Sequence, residues 1–247
     1  MKTLIFTIIG LSANLIFANP VWVEYHIKVD NPESAANIVE ATDNLMGSSF
    51  AKENFKGSLH FNTWIANGDD LATHTFAVLQ PSLTDHLNWN LSLQDSKDGS
   101  AFLSILRNNS TDLSERVNSF IQTYGNPSNE DVFWIIHEFA AKPSDLEKII
   151  NAHTRMDKGI KDDFPGQYGL SAVAYGSDDV THLLTVGYKS MAELESWEDQ
   201  VSANKSVQDF LKTMDKMVEW KGSKVLHNSR VYDTASDLEQ FVNKDFK

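Results

Sequence analysis

The stretch "GDDLATHTFAVLQ", residues 68–80, is repeated later in the chain as "SDDVTHLLTVGYK", residues 177–189. Each copy begins with an Asp-Asp turn and passes through a Thr-His pair into an apolar run. Short apolar segments on both sides of a Gly/Asp turn are typical of a β-hairpin. The recurrence therefore predicts a duplicated structural unit.

Upstream of each hairpin, an overlay that places Pro32 on Pro143 also places His26 on His137. Apolar residues follow each proline with helical spacing, and proline in the first turn is a helix-start signal. The superposed stripe positions are Ala35, Ile38, Val39, Thr42 and Leu45 in the first copy and Leu146, Ile149, Ile150, His153 and Met156 in the second. Each copy is thus predicted to begin with a strand and a helix.

Downstream, Trp89 falls on Trp197 and Phe102 on Phe210, on a second helical segment. The stretch "LSERVNSFIQTYG" is compatible with a helix when it is read alone. Its counterpart "GSKVLHNSRVYDT" has no helical stripe, so residues 117–124 and 225–232 are both predicted to be strands. Each copy then follows the order β-α-β-β-α-β of a ferredoxin-like unit.

Such a unit has both helices on one face of its sheet and leaves the other face uncovered. Two copies in one chain can cover each other, because the linker keeps the second sheet at high effective concentration. The predicted fold class is α+β, with two tandem ferredoxin-like repeats packed sheet-to-sheet as a single-chain pseudo-dimeric α+β barrel. The predicted boundaries are 1–18 for a signal peptide, 19–124 for the first repeat, 125–130 for a linker, 131–233 for the second repeat and 234–247 for a tail.

The N-terminus has the features of a secretory signal peptide: Lys2, a short apolar run from Leu4 to Leu11, and small residues up to Ala18. We expect cleavage after Ala18 and a secreted or periplasmic protein without membrane insertion; an uncleaved anchor is the alternative. The formal net charge of −13 argues against nucleic acid and anionic membranes as partners. The absence of cysteine from the sequence excludes disulfides, thiolate metal sites and cysteine nucleophiles.

The stretch "KSMAELESWEDQVSANKSVQDFLKTM", residues 189–214, resembles the second helical region of the antibiotic-biosynthesis-monooxygenase type of dimeric α+β barrel. It has a Ser-led helix with a central Trp, a break, and a short helix with an aromatic near its end. "PSLTDHLNWNLSLQDSKDGSAFLSIL", residues 81–106, repeats this pattern more weakly. The resemblance implies a superfamily of cofactor-free oxygenases, haem-degrading enzymes, isomerases, stress-responsive barrels and members without known activity. The enzymes often have a His one turn after this Trp, where this chain has Gln200 and Val201.

Period-2 alternation in the first strand places Trp22, Glu24, His26 and Lys28 on one face, which we predict faces a pocket between the sheets. His26 and His137 are the predicted catalytic residues, because they recur at one position of the overlay. The same pair also suits two core histidines with a structural role. The predicted ligand-binding residues are Trp22, Glu24, His60, Asn62, Trp64, Phe133 and Ile135.

No spacing typical of metal ligands occurs, and the Asp-Asp turns lack the later ligands of a calcium loop, so no metal site is predicted. No cofactor is predicted either, although a recurring His could bind haem. The leading prediction is an exported barrel that binds a small apolar or aromatic molecule, in its sharper form a cofactor-independent monooxygenase-like enzyme with His26 or His137 as base. A monomer is expected to suffice for the barrel. The alternatives are a non-catalytic envelope or stress-response protein and a haem-binding barrel.

Overall fold

The computed structural model describes residues 20–125, 131–201, 203–233 and the short strand at 244–245. The predicted signal peptide, residues 126–130 of the predicted linker and most of the predicted tail lie outside the described residues. Gly125, the first residue of the predicted linker, ends a strand. None of the described helices combines the length and apolar character that a membrane crossing requires.

The first repeat contains four strands and four helices. They are β1 (Val21–Val29), α1 (Pro32–Gly47), α2 (Ser49–Asn54), β2 (Ser58–Ala66), β3 (His74–Gln80), α3 (Leu83–Asp95), α4 (Lys97–Asn109) and β4 (Ser110–Gly125). Side-chain caps explain where two of these helices begin: Asn31 accepts from the Ser34 amide, and Ser82 accepts from the Asp85 amide.

The second repeat follows the same order with one short 3₁₀ turn, Pro143–Asp145, before its first helix. Its elements are β5 (Phe133–Ala141), α5 (Leu146–Ile160), β6 (Gln167–Tyr175), β7 (His182–Tyr188), α6 (Met191–Val201), α7 (Lys205–Met214) and β8 (Val218–Asp233). A two-residue strand, β9 (Lys244–Asp245), pairs with β4.

The strands form one antiparallel sheet in the order β1-β3-β2-β8-β5-β7-β6-β4, and β4 pairs again with β1 to close a barrel. Each repeat supplies four neighbouring strands, with the helices on the outside. This is the predicted pair of ferredoxin-like units, and the predicted α+β barrel is confirmed.

The two longest strands, β4 and β8, hold the repeats together. Each has 16 residues. The first part of β4 pairs with β1 of its own repeat and the last part with β6 of the other. In the same way β8 pairs first with β5 and then with β2. The prediction that residues 117–124 and 225–232 are strands is therefore confirmed.

A helix-covered core lies outside the sheet in each repeat. Trp89 is 4% exposed in the first core and Trp197 is 6% exposed in the second, as expected for structural residues. Ile38 on α1 and Ile149 on α5 are both fully buried, which confirms the predicted helical stripes.

The strand register corrects the overlay of the two first strands. Ile27 pairs with His74 in the first repeat and Phe139 pairs with His182 in the second, so Ile27 and Phe139 are equivalent. The connection from β5 to Pro143 is one residue shorter than that from β1 to Pro32. His137 is thus the counterpart of Tyr25 rather than of His26, and a slip of one residue moves a side chain to the opposite face of a strand.

Candidate functional site

The face predicted for β1 is confirmed. The His26 ring lies 5.6 Å from the Trp64 ring inside the barrel, and the Trp22 indole Nε1 donates to Ser171 Oγ on β6 at 3.4 Å. Glu24, between them on β1, is completely buried. Lys28, the fourth member of the predicted row, is exposed.

The prediction that His26 and His137 share one cavity is wrong. His137 lies on the outer face of β5, where its Nδ1 bonds to Ser223 Oγ at 2.7 Å and its ring lies 6.4 Å from that of Trp220. Phe133 and Ile135, on the same face, pack against the helix-covered core of the second repeat rather than inside the barrel. A catalytic role for either histidine stays a prediction, but the two cannot act as a pair.

The row His60, Asn62 and Trp64 follows one face of β2, as predicted. Trp64 packs in the barrel interior with Ile136, Leu183 and Leu226. Asn62 is 2% exposed. His60 bonds through Nε2 to Ser58 Oγ at 2.7 Å, and burial lowers the pKa of His60 to about 4.

Charged side chains form part of the barrel interior. The Arg116 guanidinium lies between two carboxylates, with Nη2 2.7 Å from Glu24 Oε2 and Nη1 2.6 Å from Glu138 Oε1. Asn118 Nδ2 also donates to Glu24 Oε2 at 3.0 Å. Burial alone would raise the pKa of Glu24, but Arg116, together with His26, lowers it to about 2. Ion pairs therefore form part of the region between the sheets, where the sequence predicts a pocket.

A cavity of about 510 Å³ lies elsewhere, between the sheet of the first repeat and its helices α1, α3 and α4. Most of its wall is apolar, formed by Leu45, Leu59, Phe76, Val78, Trp89, Leu93, Phe102, Leu103 and Leu106. The polar or charged residues of the wall are Tyr25, His26, Asn90, Gln94, Arg107, Asp112, Ser114 and Glu115. A concave, mainly apolar space with a few polar groups is typical of a small-molecule site.

A hydrogen-bonded cluster of three side chains stands at this wall. Asn90 Nδ2 donates to the Tyr25 hydroxyl at 2.8 Å, and that hydroxyl also bonds to His86 Nε2 at 2.8 Å. His86 is 1% exposed and lies behind the two wall residues. Its Nδ1 is buried without a hydrogen-bond partner among the described residues.

Burial keeps this cluster uncharged at neutral pH. It raises the pKa of Tyr25 well above the usual value and lowers the pKa of His86 to about 4. The cluster can therefore donate and accept hydrogen bonds without attracting a counter-ion.

His86 and Asn90 are not among the predicted site residues, although the sequence contains a signal for them. The buried positions of α3 are Leu83, His86, Trp89 and Leu93, so a histidine stands on an otherwise apolar stripe. Asn90 follows one turn later on the same side of the helix. Tyr25 lies on the face of β1 opposite to the one that was predicted to line the pocket.

The second repeat has larger rings at two of the equivalent wall positions. By strand register, Tyr168 replaces Leu59 and Trp220 replaces Asp112. Tyr168 is 2% exposed, and Trp220 packs edge-on against Phe139 with ring centroids 5.5 Å apart. The two repeats have therefore diverged at the wall that forms the cavity in the first.

The recurring pair His74 and His182 has the strand-start position that the sequence predicts. Each Nδ1 bonds to the preceding threonine, at 2.9 Å to Thr73 and at 2.8 Å to Thr181. The residues described by the structure contain no group of three or more His, Cys, Asp or Glu side chains placed to hold a metal ion.

Comparisons with known proteins identify the fold. No family model matches the chain, and no curated protein matches it. A protein from Fusobacterium nucleatum described as a candidate monooxygenase superposes with a TM-score of 0.62 at 11% identity, covering 87% of this chain and 95% of its own. An anthrone oxidase-like protein superposes with a TM-score of 0.59 at 11% identity, covering 91% and 97%.

A haem-binding protein from Thermus thermophilus superposes with a TM-score of 0.52 at 11% identity, covering 85% of this chain and 91% of its own. These neighbours have the α+β barrel fold. The chain has this fold, with both halves of the barrel in one polypeptide. Identities this low show the fold and leave the activity to be argued from the site.

Proposed function

We propose that this chain binds a small apolar or aromatic molecule in the cavity of its first repeat and acts on it as a cofactor-independent monooxygenase-like enzyme. The observation that carries the proposal is the Tyr25–Asn90 pair, backed by His86, at the wall of a mainly apolar cavity. An apolar wall favours the body of such a ligand, and the polar pair orients one oxygen atom of it.

The tautomer of His86 determines whether the Tyr25 hydroxyl can donate a hydrogen bond to a ligand. With the proton on Nε2, His86 and Asn90 both donate to the Tyr25 oxygen, which leaves the Tyr25 hydroxyl proton for a ligand. With the proton on Nδ1, Nε2 accepts from Tyr25 instead. Exchange between these states would let Tyr25 and His86 move a proton to or from a ligand oxygen.

Oxygenation without a cofactor requires a substrate whose anion reacts directly with dioxygen. The protein then has to exclude water, orient the substrate and accept one proton. The cavity supplies the first two functions, and His86 would accept the proton through Tyr25. An anion formed beside Tyr25 would offset the cost of charging the buried His86 ring.

Haem is the alternative cofactor, because one structural neighbour is a haem-binding protein. Four of the described histidines do not favour it. His74 and His182 each bond to a threonine, and His86 lies behind Tyr25 and Asn90 rather than at the cavity wall. His26 is part of the cavity wall, but a carboxylate lies near each of its ring nitrogens. We therefore assign no step to haem. Purification with a Soret absorbance band would contradict this assignment.

Binding of 1-naphthol, measured by titration calorimetry, tests the site. We expect it to bind more tightly than 1-methylnaphthalene, which has a similar size but no hydroxyl. Tyr25→Phe should remove roughly 1–2 kcal/mol of this preference, because one hydrogen bond is lost. Tyr168→Phe is the matched control, since it removes a buried hydroxyl from the other repeat.

A cavity-filling variant tests whether the ligand binds in the cavity, independently of the hydrogen bond from Tyr25. Leu59→Tyr introduces the residue that the second repeat has at this position, and it should abolish binding of both naphthalenes while the protein stays folded. Unchanged binding in Leu59→Tyr would place the ligand elsewhere. Oxygen consumption with 1-naphthol or a related phenol then tests turnover separately from binding.

Export is also proposed, from the Lys2, Leu4–Leu11 and Ala18 pattern. N-terminal sequencing of protein recovered from outside the cytoplasm should give Asn19 as the first residue. A start at Met1 in that fraction would indicate an uncleaved anchor.

A folded protein that binds neither ligands nor haem would favour the envelope or stress-response alternative.

A further inference from the structure

Six charged or titratable side chains form a closed ring that runs from the barrel interior to the connection between β2 and β3. In order around the ring they are Glu24, Arg116, Glu138, Lys224, Asp70 and His26, which contacts Glu24 again. The closest distances between neighbours run from 2.6 Å to 3.9 Å. The first five members alternate in charge, beginning and ending with a carboxylate.

His26 occupies the place where this alternation requires a positive charge. Its Nδ1 lies 3.6 Å from Asp70 Oδ2, and its Nε2 lies 3.9 Å from Glu24 Oε1. Both ring nitrogens and Glu24 Oε1 are buried without a hydrogen-bond partner among the described residues. These are ion-pair distances rather than hydrogen-bond distances, so the attraction depends on charge.

The geometry distinguishes a proton from the other ways to complete the ring. A neutral imidazole has one N–H, so one nitrogen would turn a lone pair toward a carboxylate. A metal ion needs ligands that converge on one point, whereas the two carboxylates flank opposite nitrogens of the ring. An imidazolium presents an N–H to both carboxylates.

We propose that His26 takes up a proton to complete this ring, and that the proton clamps the 67–73 connection to the barrel. Asp70 is the link, because its Oδ2 faces His26 while its Oδ1 accepts from the Ala72 amide at 3.0 Å. Asn67 Nδ2 donates to the Ala72 carbonyl at 3.0 Å in the same connection. Loss of the His26–Asp70 attraction thus loosens a local hydrogen-bonded turn.

The groups that face His26 come from several elements. Glu24 is on its own strand, Asp70 is on the connection, and the Trp64 ring of β2 packs edge-on against it. Arg116 of β4 and Lys224 of β8 lie beyond the carboxylates. Because the clamped state binds one proton more than the open state, the clamp weakens as the pH rises.

Hydrogen exchange of the full chain tests this proposal through the protection factor of the Ala72 amide, which is corrected for the intrinsic pH dependence of exchange. Between about pH 5 and about pH 9, this protection should fall by up to roughly tenfold per pH unit over the range where one proton is lost. The ring nitrogens of His26 should both be protonated, by ¹⁵N NMR, at the lower end of that range.

Two matched variants test whether Asp70 is the carboxylate through which His26 holds the connection. Asp70→Asn keeps a side-chain oxygen for the Ala72 amide but removes the charge, so protection should become low and independent of pH. Asp69→Asn removes the neighbouring charge and should retain the wild-type dependence. The proposal is overturned by wild-type protection that does not vary with pH, by a dependence that survives in Asp70→Asn, or by its loss in Asp69→Asn.

Discussion

Single buried histidines differ in role because their partners differ. His86 has a tyrosine and an asparagine as neighbours, and burial favours its neutral form. His26 has carboxylates on both sides. His137 bonds to a serine on the outer face of the sheet. The residue type alone predicts none of this, because imidazole can serve as donor, acceptor or cation according to its surroundings.

The buried neutral histidines make the protein sensitive to mild acid. Burial lowers the pKa of His86 and that of His182 from 6.5 to about 4. Between these values the unfolded chain binds more protons than the folded one, so the free energy of unfolding should fall as the pH decreases from 6.5 toward 4. Each such group contributes a slope of up to about 1.4 kcal/mol per pH unit.

Urea unfolding at several pH values checks this. His86→Gln should reduce the slope between pH 6.5 and 4 by about one proton, because glutamine does not titrate. Asp95→Asn, at the exposed end of α3, is a control that leaves the histidines intact. An unchanged slope in His86→Gln would contradict the neutral state assigned to His86.

At the scale of elements, contacts between aromatic side chains position a helix in each repeat. Trp89 of α3 packs against Phe50 and Phe55, with ring centroids 5.4 Å and 4.9 Å away. Trp197 of α6 packs against Phe164 at 4.9 Å. The equivalent tryptophans thus anchor equivalent helices, although only Trp89 also borders the described cavity.

Truncation of either tryptophan should destabilise the fold. Trp89→Ala and Trp197→Ala are each expected to lower the free energy of unfolding by about 3–5 kcal/mol, because a large buried ring is removed. Trp220→Ala, which truncates a partly exposed ring, should cost less. Trp89→Ala with wild-type stability but altered ligand binding would show that this residue belongs to the site more than to the core.

At the scale of the whole molecule, neither repeat can pair all of its strand edges within itself. The last part of β4 pairs with β6, and β2 pairs with β8. A separated first repeat would expose these strand edges and the barrel-facing side of its sheet. Exposed edges and apolar faces favour association between copies.

The fragment 19–124 is therefore expected to dimerise or aggregate, whereas the chain from residue 19 to 247 should be monomeric and unfold in one transition. Size-exclusion chromatography with light scattering, together with denaturant unfolding, distinguishes the two behaviours. A stable monomeric fragment would contradict the requirement for both repeats. A mixture of separate 19–124 and 131–247 fragments offers a further check, because strand complementarity should restore a one-to-one complex.

The sequence by itself determined the duplication, the β-α-β-β-α-β order, the barrel and the exclusion of cysteine chemistry. These features follow from hydrophobic periodicity and from turn residues, which are local properties of the chain. It also predicted correctly that Trp22, Glu24 and His26 share the inner face of β1. The overlay failed at β5, since one residue fewer in the loop before Pro143 reverses which side chains face inward.

Only the tertiary structure decided where the cavity lies. Tyr25, His86 and Asn90 come from a strand and a helix that are distant in sequence, and their contact depends on how α3 packs on the sheet. The same holds for the ring that joins Glu24, His26 and Asp70 of the first repeat to Glu138 and Lys224 of the second. Side-chain periodicity specifies a face of an element, whereas packing between elements specifies which faces meet, and that is why the site could not be predicted from the pattern alone.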